Sequence, residues 1–252
     1  MKTLARALPL PAVLVVLAEI GARAHGPSDS NAPPSEVAGA LVEALSDGSL
    51  FGATRDTLLA AFGGLAIGAG VGLALGTLFG SFHALDRVME LPVEVIRPIP
   101  SVAVIPIALV ALGFGYSLEV AIVAFACVWP LLILTRAAVA GVEPRLIEVA
   151  RALRLTPLQR TFKIVAPAAL PRVFVAFRLA AGISLVVAVT VEIAVNPQGL
   201  GYGVMMAGQA LRPDLMLAYL VWIGVVGFAL NAGLVLAQRR LFGPAAQVEA
   251  LR

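Results

Sequence analysis

The side chains that could do covalent or acid–base chemistry are few and scattered. The chain has one cysteine, Cys127, two histidines, His25 and His83, and two lysines, Lys2 and Lys163. Cys127 stands in an apolar run, where a thiol reads as buried packing rather than a redox group. His25 and His83 share no metal-ligand spacing and read as loop or interface residues. A phosphate-binding loop needs a lysine directly after a glycine-rich run. Neither lysine follows a glycine, so ATP hydrolysis by this route is outside the chain's own means. With no nucleophile–base or metal constellation in view, an enzyme is the least favoured class.

The chemistry that remains is recognition, and it concentrates in residues 143–171, EPRLIEVARALRLTPLQRTFKIVAPAALP. Pro144 suits the first turn of a helix, with Leu146, Val149, Ala150 and Leu153 at helical spacing around Glu148. Thr156-Pro157-Leu158-Gln159 starts a second helix, because Thr156 caps, Pro157 takes the first helical position and Gln159 completes a capping box. Leu158, Phe162 and Val165 form its apolar stripe. The spacing therefore predicts two short helices meeting at a turn near residues 154–156. Such a pair could lie on lipid headgroups. A structured polar island between two apolar stretches equally describes a docking surface for something outside the bilayer.

The elements around the island are hydrophobic. Of 252 residues, 60% are apolar and 13% charged, with mean hydropathy +0.96. That composition marks an integral membrane protein. No charge occurs between Asp56 and Asp86, between Arg97 and Glu119, or between Asp214 and Arg239. Runs of this length suit helices crossing a hydrocarbon core of about 30 Å, and the alternation of a barrel is absent. The fold class expected is all-α, polytopic, with about six membrane helices: residues 4–22, 54–79, 92–112, 118–139, 168–194 and 214–238. Residues 4–22 are compatible with a cleaved signal peptide as well as a membrane helix, and a retained helix is expected. Residues 1–24 are thus an amino-terminal helix, 25–53 an exterior loop with a short amphipathic helix, 54–242 the membrane domain, and 243–252 a tail.

Gly64, Gly68, Gly72, Gly76 and Gly80 recur every four residues and make one smooth ridge for close helix packing. Pro92, Pro98, Pro100 and Pro106 break the third span, which suits either a helix bordering a pathway or irregular packing. Residues 136–172 carry seven basic residues against two acids, whereas residues 23–56 carry two against five. By the positive-inside rule the island and both termini are cytoplasmic and residues 25–53 are exterior. No concentrated basic domain suggests nucleic acid.

At the island the sequence resembles a known family. Glu148-Val149-Ala150-Arg151-Ala152-Leu153-Arg154, followed after nine residues by Ile164-Val165-Ala166-Pro167, is similar to the Glu-Ala-Ala loop of permease subunits in bacterial ABC importers. Val149 replaces the middle alanine, Ala166 stands where leucine is usual, and Arg154 stands where the family has glycine. RPIPSVAVIPIALVALGFG (97–115), GVEPRLIEVA (141–150), GLGYGVM (199–205) and PPSEVAGALVEALSDGSL (33–50) look like the nitrate, sulfonate and taurine branch. The likeness runs from residue 31 onward.

The resemblance implies a pore-forming permease in the bacterial cytoplasmic membrane. Its loop, 143–167 here, would lie in a groove on a separate ABC ATPase, which holds the ATP and Mg; no cofactor is implied for this chain. Two permeases, taken as identical copies, would join two ATPases, and an extracytoplasmic binding protein would deliver a small solute such as a sulfonate, nitrate or taurine. The coupling residues it implies are Glu148, Val149, Ala150, Leu153, Arg154, Leu155, Thr156, Phe162, Ile164 and Pro167. Polar and helix-breaking groups inside the spans are candidates for the translocation pathway: Pro100, Ser101, Ser184, Thr190 and Glu192. For Glu192 the alternative is fixing helix packing. Arg97 and Arg178 are expected near inner ends of their spans, at the interface or paired with Glu90 or Glu94. The competing reading is a secondary transporter or channel that needs no ATPase, for which inverted repeats or dense intramembrane charge would speak; neither is evident.

Overall fold

The computed structural model describes residues 9–24, 26 and 31–243. His25, the start of the first apolar segment and residues 244–252 lie outside the described residues. The described chain is almost wholly helical: α1 Pro9–Ala24, α2 Pro34–Ser46, α3 Ser49–Ser81, α4 His83–Ile96, a 3-10 turn at Ser101–Val104, α5 Ile105–Leu112, α6 Tyr116–Ala140, α7 Pro144–Ala152, α8 Pro157–Arg160, a π-helical turn at Thr161–Val165, α9 Ala166–Ala194, α10 Gly199–Gln209 and α11 Pro213–Phe242. Among the described residues, four helical stretches are long and apolar enough to cross a membrane, and α4 with the Ser101–Leu112 segment makes a fifth if that bent pair is one span. The expected first span is represented by the 16 residues of α1, whose Leu10, Leu14, Leu17 and Ile20 are exposed.

The chain divides into two compact units, Met1–Thr57 with Glu192–Val226 and Leu58–Val191 with Gly227–Arg252. In the second unit the glycine ridge of α3 lies directly on α6. A methyl group on Gly72, Gly76 or Gly80 would come within 2.6–2.8 Å of the Val128, Leu132 or Arg136 carbonyl oxygens. Such distances are closer than side chains approach, so only glycine permits this contact, as the spacing predicts. Gly64 meets Val120 and Val123, while Gly80 meets Arg136 and Val139. Residue numbers rise together along both helices, so the pair is parallel. The intervening chain must therefore return over about 24 Å, sixteen residues of helical rise.

That return differs from the expected single helix at 92–112. It begins at His83, and its two helical halves meet at 80°. Pro98 and Pro100 offer no N–H to a helix, and Pro100 is extended at φ −60°, ψ 128°. Pro106, by contrast, sits in the first turn of α5, where a missing donor is harmless. Elsewhere in this unit Cys127 is buried against α9, its thiol reaching the Ala180 carbonyl at 3.5 Å. Arg178 donates to Gln238 at 3.2 Å, and Phe174 meets Phe242 edge-on. Gln238, rather than Glu90 or Glu94, is thus the partner of Arg178.

In the first unit Ala32, Val37 and Ala40 pack on Ala218, fixing α2 against α11. Trp222 donates to Thr54 at 2.8 Å and meets Phe51 edge-on. The start of α10 is held by two buried side chains: Thr57 Oγ1 accepts from the Leu200 N–H at 2.9 Å, and Glu192 Oε2 accepts from the Gly201 N–H at 2.7 Å. A side chain on Gly199, whose φ is +83°, would collide with the Glu192 carboxylate.

Candidate functional site

The island is built by local signals. Pro144 opens α7, and Ile147 and Val142 pack with Val173 against a core of Ala138, Val139, Val165 and Ala169. This small core mounts the island on the ends of α6 and α9. At the far end of α7 the Arg154 N–H bonds to the Arg151 carbonyl at 2.9 Å and the Leu155 N–H to the Ala150 carbonyl at 3.1 Å. These are the two bonds of a Schellman ending, and the residue between them must be left-handed. Arg154 is, at φ +50°. The arginine accepts the glycine-like conformation; the turn is not rebuilt around it.

The capping box forms as expected. Thr156 Oγ1 accepts from the Gln159 N–H at 3.3 Å, and Gln159 Oε1 accepts from the Thr156 N–H at 3.1 Å. The second helix differs from the expected short one, because helical residues continue from Pro157 to Ala194. Pro167 cannot donate and its ring crowds the preceding turn. A π-helical turn at Thr161–Val165 precedes it, and the Ala166 N–H reaches five residues back to Thr161. The wider turn rotates the helix beyond it. Val165, the last residue of that turn, is buried, while Leu158 and Phe162, expected on the same stripe, are exposed.

The outcome is an exposed apolar face on a charged mount. Leu153, Leu158 and Phe162 are 64%, 69% and 68% exposed, and Val149 is half exposed. Glu148, Arg154, Thr156 and Pro167 also face outward, Leu155 and Ile164 are half-buried, and Ala150 is buried. All three stripe positions were legible as apolar, but nothing in the sequence separated exposed Leu158 and Phe162 from buried Val165. Large apolar side chains standing out of a polar surface mark an interaction site.

The pathway candidates are distributed differently. Pro100 is exposed and Ser101 half-buried, both at the break between α4 and α5. Ser184 is buried and donates to the Ala181 carbonyl at 2.9 Å, while Thr190 donates to the Val186 carbonyl at 2.7 Å. Both hydroxyls are thereby spent on their own helix. Glu192 is fully buried at the start of α10, where it holds the Gly201 N–H.

Residues 64–243 match the family described as binding-protein-dependent transport system inner membrane component. The chain belongs to that family. The permease is 29% identical over 237 residues to SsuC of Bacillus subtilis (strain 168), named as a putative aliphatic sulfonates transport permease protein, covering 94% of this chain and 86% of the relative. It is 31% identical over 194 residues to the bicarbonate transport system permease protein CmpB of Synechocystis, covering 77% and 69%. With the taurine transport system permease protein TauC of Escherichia coli (strain K12) it shares 30% over 184 residues, covering 73% and 66%. Among solved structures, an inward-facing MetNI methionine ABC transporter superposes with a TM-score of 0.67 at 22% identity, over 74% of this chain and 93% of the other. That likeness concerns the fold. The permease is a multi-pass inner membrane protein of an importer system.

Proposed function

We propose that the permease takes its energy from a cytoplasmic ABC ATPase docked on the exposed face of residues 143–167, and that it conducts a small anion such as an aliphatic sulfonate, taurine, nitrate or bicarbonate. The observation that carries this reading is the protruding set Leu153, Leu158 and Phe162 on an island mounted rigidly on α6 and α9. Burying each such side chain contributes about 1.5–3 kcal/mol, whereas each exposed charge pair contributes about 0–1 kcal/mol. The apolar trio therefore supplies affinity, and Glu148, Arg151 and Arg154 supply orientation. Because the second island helix is continuous with α9, a displacement of the docked face moves a membrane helix directly. ATP and Mg would be held by the partner.

A second identical permease completes the simplest symmetric pore. The excess of basic residues at the island supports a cytoplasmic position, with an extracytoplasmic binding protein delivering the solute to the opposite face. The relatives' named solutes are anions or carry an anionic group, which is the basis for the class proposed here. The test is co-purification with the ATPase followed by uptake into proteoliposomes. Glu148→Arg is expected to preserve the complex and abolish uptake. Uptake sustained with no ATPase present would overturn the reading in favour of a secondary transporter or channel.

A further inference from the structure

A charged contact lies between the mount of the island and the broken third span. Arg136 is on α6, three residues before Val139 of the core that carries the island. Its backbone carbonyl faces Gly80 so closely that a methyl group there would sit 2.8 Å away, which pins this part of α6 to α3. Its guanidinium reaches Asp86 in the first turn of α4. Nε lies 2.6 Å from Oδ1, and Nη2 donates to Oδ2 at 2.8 Å. Glu90, one turn further along α4, is 3.8 Å from Nη2. The Asp86 side chain is 12% exposed and that of Arg136 31%, so water screens the pair only partly.

This contact matters because α4 has little else of its own. None of its residues is buried, and Val88, Leu91 and Val95 are exposed. At its far end α4 leads into residues 97–100, where the helical axis turns by 80°. Beside the contact, Ser81, Val142, Ile147, Arg160 and Thr161 line a cleft of ≈ 200 Å³. The Nη2–Oδ2 bond is a charge-assisted hydrogen bond, and Nε stands close to Oδ1 as an ion pair without forming a second hydrogen bond.

We propose that the Asp86–Arg136 ion pair is the link by which displacement of the island reaches the break at residues 97–100, making Asp86 and Arg136 positioning residues for transport. The proposal rests on the reading of the island as the ATPase-docking face. Its readout is the ratio of solute transported to ATP hydrolysed in proteoliposomes holding the full complex with its binding protein, alongside melting temperature in detergent. Asp86→Asn is expected to keep assembly and hydrolysis while lowering the ratio about tenfold. Arg136→Lys keeps the charge but loses the Nη2 hydrogen bond and the reach of the guanidinium, and is expected to lower the ratio in the same direction. Glu94→Gln, on the same helix, keeps the wild-type ratio. A wild-type ratio in both Asp86→Asn and Arg136→Lys overturns the link, and so does a parallel loss of hydrolysis and uptake, which would signify assembly rather than coupling. Wild-type uptake without ATPase would instead overturn the docking reading itself.

Discussion

Two residues other than glycine adopt left-handed backbone among the described residues, Arg154 at φ +50° and Leu211 at φ +54°. Both close a helix by the same pair of bonds: Leu211 N–H to Gly208 and Arg212 N–H to Ala207 repeat the pattern at Arg154 and Leu155. A side chain in this conformation costs about 1–2 kcal/mol. Replacing Arg154 with glycine removes that strain but adds unfolded-state entropy worth about 0.5–1 kcal/mol. The two nearly cancel, with strain slightly ahead. Arg154→Gly is therefore expected to keep or modestly raise the melting temperature and to preserve ATPase binding in pull-down. Loss of binding would show that Arg154 contacts the partner rather than merely forming the turn. Arg154→Val, with a branched β-carbon in the same conformation, is expected to destabilise the island.

At the scale of elements, the parallel contact of α3 with α6 carries the second unit. At Gly76 an added Cβ would lie 2.6 Å from the Leu132 carbonyl and 2.7 Å from Thr135 Cβ. Backbone cannot yield there without separating the helices. Gly76→Val is expected to destabilise by about 2–3 kcal/mol or prevent folding, read as a lowered melting temperature in detergent. Gly70, on the same helix, has nothing within 4 Å of an added Cβ. Gly70→Ala is expected to gain about 0.5–1 kcal/mol from helix propensity alone. Equal effects at the two positions would contradict the ridge. The ridge was legible in the sequence because a four-residue period places glycines on one helical face whatever the rest of the chain does. The 80° bend was not. Prolines announced a break, but its angle depends on how α4 and α5 meet α6.

For the whole molecule, the decisive property is which side of the membrane each segment faces. Charge asymmetry is the basis for the proposal that residues 143–167 are cytoplasmic and the Asp47 region exterior. Asp47 itself is kept below the usual carboxylate range by hydrogen bonds from Ser49, the backbone N–H first. In a Cys127→Ser background, a cysteine at Asp47 is expected to react with an impermeant maleimide in intact cells. One at Arg151 is expected to react only after permeabilisation. The reverse pattern would invert the topology and leave the island on the wrong side for an ATPase.

The sequence alone determined what depends on near neighbours. The Thr156–Gln159 capping box, the glycine ridge and the absence of a lysine after a glycine-rich run are all properties of short windows or fixed periods. They require no knowledge of what lies across the fold. Tertiary structure decided the rest. It separated buried Val165 from exposed Leu158 and Phe162, and it assigned Glu192 to the start of α10. It also brought Arg136 to Asp86 across 50 residues of chain. Whether a polar or apolar side chain meets solvent, a partner or its own fold is set by packing between distant segments, and no local pattern encodes that.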